Sequence, residues 1–143
     1  MKIKQIIIAS TLLVSVASFS QKDELKALKK IYNKDVPSAN DLKDYKDALI
    51  KLETLATEEA DKVYFNYYKA ILPQLDMAST GEAPTPAQIS KILTPKAISE
   101  LAATYNATLE FEKKSGKKVF TDDINEDITA MKPILWQVVV ALD

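Results

Sequence analysis

The sequence predicts an all-α protein of about six helices. Three observations predict it. From Gln21 onward, apolar residues recur at steps of three and four, the spacing of one helix face. Nearly every break between such runs carries a proline, a glycine or a capping side chain. Period-two alternation, the signature of a half-buried strand, is nowhere sustained.

The first helix is expected at about Lys22 to Lys34, with Leu25, Leu28, Ile31 and Tyr32 on one face. Asp23 and Glu24 near its start, and Lys29, Lys30 and Lys34 towards its end, complement the helix dipole. Val36-Pro37-Ser38 makes a turn. The second helix, about Ala39 to Ala56, aligns Leu42, Tyr45, Leu49, Leu52 and Leu55, while Lys43, Asp47 and Lys51 form pairs four apart on the outside. Thr57 then caps a third helix, about Glu58 to Leu75, that buries Ala60, Val63, Tyr64, Tyr67 and Ile71. Pro73 should end or bend it between Lys69 and Leu72.

Ala78 to Pro84 is the longest loop-like stretch and a possible internal linker. Thr85-Pro86 and Thr94-Pro95 each set a capping hydroxyl before a proline suited to a first helical position. They open a short helix to Leu93 and a longer one carrying Ile98, Leu101, Ala102, Tyr105 and Leu109, which Gly116 stops. Thr121-Asp122-Asp123 caps the last helix, with Ile124, Ile128, Met131, Leu135, Val138 and Leu142 inward and Pro133 as a bend. Beyond that proline, Ile134 to Leu142 is apolar on nearly every azimuth, and a helix of that kind normally sits inside something larger. Either the chain self-associates through this end, or further helices would follow.

Residues 1–20 have the grammar of an export signal: Lys2 and Lys4, an apolar run from Ile6 to Val16, then small residues up to Ser20. Ser10, Thr11, Ser15 and Ser18 interrupt a run that is already short for a membrane span, so a cleaved leader is expected rather than an anchor. No cysteine follows to carry a lipid. The expected location is the periplasm or the exterior, and residues 21–143 are the size of one domain.

Composition excludes several chemistries. The chain after Ser20 carries 17 lysines against 20 acids, which disfavours nucleic acid as a partner. It has no arginine, and so no planar fork for bidentate recognition of carboxylate or phosphate. With no histidine and no cysteine, disulfides, most zinc sites and imidazole-based triads are removed. Gly81 and Gly116 stand alone, too few for a phosphate-cradling loop. No catalytic, cofactor-binding or metal-ligating residue is assigned. Asp122, Asp123, Glu126 and Asp127 could suggest a hard cation, but they lack the alternating oxygen ligands and central glycine of a calcium loop and read as dipole-complementing charge.

The densest aromatic run is Val63-Tyr64-Phe65-Asn66-Tyr67-Tyr68, which can serve as packing between helices or as a surface that grips a peptide. Tyr64, Tyr67 and Tyr68, with Trp136, Val139 and Leu142 of the last helix, are the candidate interaction surface. Lys113, Lys114, Lys117 and Lys118 form a basic knuckle around Gly116 that complements a helix C-terminus, with an anion or membrane-surface contact as the alternative.

Three segments carry a family likeness: Lys22 to Lys26, Asp61 to Ala70, and Asn106 to Val119. Through them the chain resembles the N-terminal part of exported tetratricopeptide-repeat proteins of Gram-negative bacteria. The resemblance implies antiparallel helix pairs in a stacked array whose concave side binds peptides or proteins, with this chain as the leading part of a longer array. It departs from the family in having no 34-residue period with the usual repeat positions, so no binding residue carries over. The resulting expectation is a non-catalytic scaffold for protein or peptide interaction. Its rivals are an envelope hydrolase using paired carboxylates and a purely structural fragment.

Overall fold

The computed structural model describes residues 21–140, with side chains through residue 133. All regular structure among them is helical: α1 (21–32), α2 (Ala39–Leu55), α3 (Glu59–Ala78), α4 (Pro86–Ile92), α5 (Pro95–Ser115) and α6 (Thr121–Val140). The leader and Leu142 lie outside the described residues, as do the side chains of Trp136 and Val139.

Local chemistry sets most of the boundaries. Ser38 and Asp41 form a reciprocal capping box at the start of α2, and Thr85 and Gln88 form another at the start of α4. Thr94 accepts from the Ala97 N–H at the start of α5. Gly116, in the left-handed region at φ 72°, ends that helix and lets the Lys117 N–H reach the Glu112 carbonyl.

Three expectations change. α3 runs through Pro73 to Ala78, three residues past the expected end at Leu75, so helix packing on both sides of the proline outweighs the hydrogen bond it cannot donate. Thr57 is not a cap: Glu58 holds that position and makes no side-chain capping bond. Lys51 pairs with Glu24 of α1 at 3.5 Å rather than with Asp47, because a neighbouring helix offers the closer carboxylate.

α3 is the central helix. It packs against α2 and α5, and α6 packs against α5. Lys46–Asp76 and Lys69–Glu53 contacts run in opposite senses along α2 and α3, so the two are antiparallel. Glu112–Thr121 and Tyr105–Asp127 show the same for α5 and α6. α1 lies over α3, where Tyr32 meets the rings of Tyr67 and Tyr68 edge-on. The core joins Leu28, Leu42, Tyr45, Leu52, Ile71, Leu101 and Ile124 to this aromatic centre. α4 contributes no buried residue.

One contact bears on the expected array. Tyr32 of α1 donates to Asp123 of α6 at 2.9 Å, so the first and last helices meet. In an open solenoid each unit touches only its neighbours, and this closure is a feature the stacked-array expectation does not contain.

Candidate interaction groove

The tyrosines expected at a binding surface are for the most part inside. Tyr67 is 0% and Tyr68 3% exposed, and Tyr64 is half-buried. Tyr67 stacks on Phe120 at 4.1 Å between ring centres, while Tyr64 and Tyr68 meet the same ring edge-on. The physical reason is the position of α3. A helix with neighbours on several sides buries more than one stripe, so an aromatic run spread over the azimuth becomes core rather than surface.

Most of the buried phenols have a partner. Tyr45 donates to the Tyr68 carbonyl at 2.7 Å, Tyr105 to Asp127 at 2.7 Å, and the Tyr32 and Tyr67 hydroxyls lie 2.9 Å apart. Burial raises the pKa of all of them above the free phenol value, and the carboxylates Asp123 and Asp127 add to this at Tyr32 and Tyr105. Tyr64 is pushed up to about 12, by burial first and by Glu112 second. Asp123 and Asp127 are therefore more than dipole-complementing charge, since they accept hydrogen bonds from two other helices.

Glu112 is the residue that the sequence reading missed. It is 1% exposed, near the end of α5. Its carboxylate accepts from the backbone N–H groups of Val119, Phe120 and Thr121 at 2.9–3.0 Å and from the Thr121 hydroxyl. Ile124 makes the first backbone bond of α6 to the Phe120 carbonyl, so Phe120 is the N-cap and the capping oxygens come from the preceding helix. Thr121, expected to cap, is instead capped. The available signal was the short turn after Gly116, which brings the last turn of α5 against the start of α6. The buried stripe of α5 runs through Leu101, Tyr105, Thr108 and Glu112, whereas Ala102, expected inward, is exposed.

The surface that remains for a partner is a groove between α3 and α5 of about 560 Å³. Val63, Asn66, Lys69, Ala70 and Pro73 form one wall, and Ala97, Glu100, Leu101, Ala103, Thr104 and Ala107 the other. Short side chains keep the α5 wall low, which lets an incoming backbone approach closely. Pro73 supplies no N–H to the Lys69 carbonyl four residues before it, so a backbone acceptor lies between two residues of the α3 wall. The one carboxylate in the groove, Glu100, lies 3.8 Å from Lys96. A smaller apolar hollow of about 230 Å³ lies between α5 and α6, lined by Ile98, Leu101, Tyr105, Ile128 and Met131 among others.

Among the described residues no group of three or more acids is arranged to hold a metal ion, and no helix is long and apolar enough to cross a membrane. Compared with known proteins, the chain matches no family model, no curated protein and no solved structure.

Proposed function

We propose that this chain works outside the cytoplasm as a non-catalytic helical module, binding a peptide or a helix of a partner protein in the groove between α3 and α5. The carrying observation is the groove itself: long, open, low-walled on the α5 side and lined mainly by small or neutral side chains. That is the chemistry of helix-in-groove or extended-peptide recognition rather than of bond cleavage. A hydrolase with paired carboxylates needs two acids facing across a cleft. This groove holds Glu100 alone, and Asp123, Asp127 and Glu112 are engaged by tyrosines and backbone N–H groups. The reading retains the antiparallel pairs of a tetratricopeptide-like array without requiring an open superhelix.

Selection from a peptide library tests this. Selected peptides are expected to shift amide signals of α3 and α5, and Ala103→Trp with Ala107→Trp, both at exposed positions, should weaken them at least tenfold. Peptides that bind the filled variant equally well would sink the assignment.

A second reading, self-association, is favoured by one observation. α6 continues as helix to Val140, and the sequence from Ile134 to Val140 is apolar everywhere but Gln137, a pattern wider than one helix stripe. Fully burying a large aliphatic side chain is worth roughly 1.5–3 kcal/mol, enough to favour a second copy over water. Light scattering should show association that Trp136→Lys with Val139→Lys reduces; a clean monomer at high concentration would reject it.

A further inference from the structure

We infer that the face formed by α1 and the turn between α5 and α6 docks on a membrane surface rich in anionic phospholipid. The fold brings together two lysine groups that are far apart in sequence. Lys26 and Lys29 of α1 line a hollow of about 170 Å³ that also touches Val119 and Phe120. On the other flank of the same turn, Lys113, Lys117 and Lys118 line a hollow of about 400 Å³. All five are exposed. None forms an ion pair among the described residues, whereas Lys34, Lys46, Lys51, Lys69 and Lys96 each do.

Val119 stands between the two groups and is 39% exposed, one of three large hydrophobic residues left so open among the described residues. An apolar side chain flanked by unpaired ammonium groups suits the headgroup boundary, where the valine leaves water and the lysines reach phosphate. The turn is already shaped for this. Glu112 clamps the backbone N–H of Val119 from inside, so its charge is committed to the backbone rather than to the lysines. Acids share this end: Asp61 of α3, half-buried and held by the Gln21 amide, feels both Glu58 and Lys117, and α1 itself carries Asp23 and Glu24, the latter paired with Lys51.

A flat anionic surface fits better than a nucleic acid, because a polyanion that wraps the protein would meet its excess of acids. Lysine, a point charge without arginine's fork, also suits headgroups that present no fixed geometry.

The test is sedimentation of the protein, recovered from the exported fraction of expressing cells, with vesicles of phosphatidylglycerol mixed with phosphatidylcholine, and with phosphatidylcholine alone. Binding to the mixed vesicles alone is expected, weakening as salt rises. Lys26→Gln, Lys117→Gln and Lys118→Gln should each lower partition about fivefold. Val119→Asp should lower it too, while Lys91→Gln on α4 should leave it unchanged. Absence of binding, equal binding to neutral vesicles, or indifference to the three lysine variants would overturn the inference. Displacement by millimolar inorganic phosphate would also overturn it, by pointing to a discrete anion site rather than a surface.

Discussion

α2 and α6 are both single helices packed against one main neighbour, yet they are specified in opposite ways. α2 carries its own start signal: Ser38 and Asp41 satisfy each other's backbone N–H groups within one turn. α6 takes its start signal from α5, through Glu112. The acid in the first turn of α2 pairs outward with Lys34, whereas the acids of α6 accept from tyrosines of α1 and α5. A helix start that closes on itself can be moved or mutated alone, while one that borrows its cap depends on a second helix being in place.

The largest expected effect is at the borrowed cap. Glu112→Ala leaves three backbone N–H groups without their acceptor and should cost about 3 kcal/mol, seen as a lower urea midpoint at unchanged slope. Glu112→Gln keeps the shape and one acceptor oxygen, and should lose roughly half as much. Equal losses in the two variants would mean that packing rather than capping is what Glu112 supplies.

Next come the tyrosines that hold the α6 acids. Tyr105→Phe and Tyr32→Phe each remove a hydroxyl donated to a carboxylate and should cost about 1–2 kcal/mol. A double variant tests the coupling: the two bonds go to different acids one turn apart on the same helix, so a shared effect beyond simple addition would show that α6 responds as one unit.

The smallest effect belongs to the self-contained cap. Ser38→Ala should cost about 1 kcal/mol, independently of Glu112. Asp41 adds a pH signature, because hydrogen bonds from Lys34 and Ser38 hold its carboxyl at about 2 against an ordinary 3.8. Its contribution is therefore complete above about pH 4 and fades as pH falls towards 2. Acid titration of the wild-type protein and Asp41→Asn should diverge only at and above that window, and a constant difference down to pH 1 would contradict the assignment.

The same contrast explains what could be read from the amino acids. The starts of α2, α4 and α5 and the end of α5 were legible, because Ser38, Thr85, Thr94 and Gly116 act within a turn of their own positions. The all-helical class followed from the helical spacing, the proline, glycine and capping residues at the breaks, and the lack of sustained alternation. Thr121 was misread because its hydroxyl resembles a local cap while the real acceptor sits on another helix. The end of α3 was placed at Leu75, three residues short of Ala78, because Pro73 suggests an end or a bend and tertiary packing carries the helix through it. Tyr67 was expected both on the buried face of α3 and in the candidate surface, and its burial with Tyr68 favours packing because α3 has neighbours around much of its circumference. The groove was not legible at all, since no motif marks a trough between two helices and its small residues look like ordinary helix formers.

The contact between Tyr32 and Asp123 sets an order of assembly. Glu112 and Thr121 are neighbours in sequence, so the hairpin of α5 and α6 closes a short loop and can form early at small entropic cost. Joining α1 to α6 closes nearly the whole described chain and gains only once α3 is in place to seat Tyr32. α1 is therefore expected to complete the core after the α5–α6 hairpin has formed, while α4, which contributes no buried residue, is the helix expected to open first.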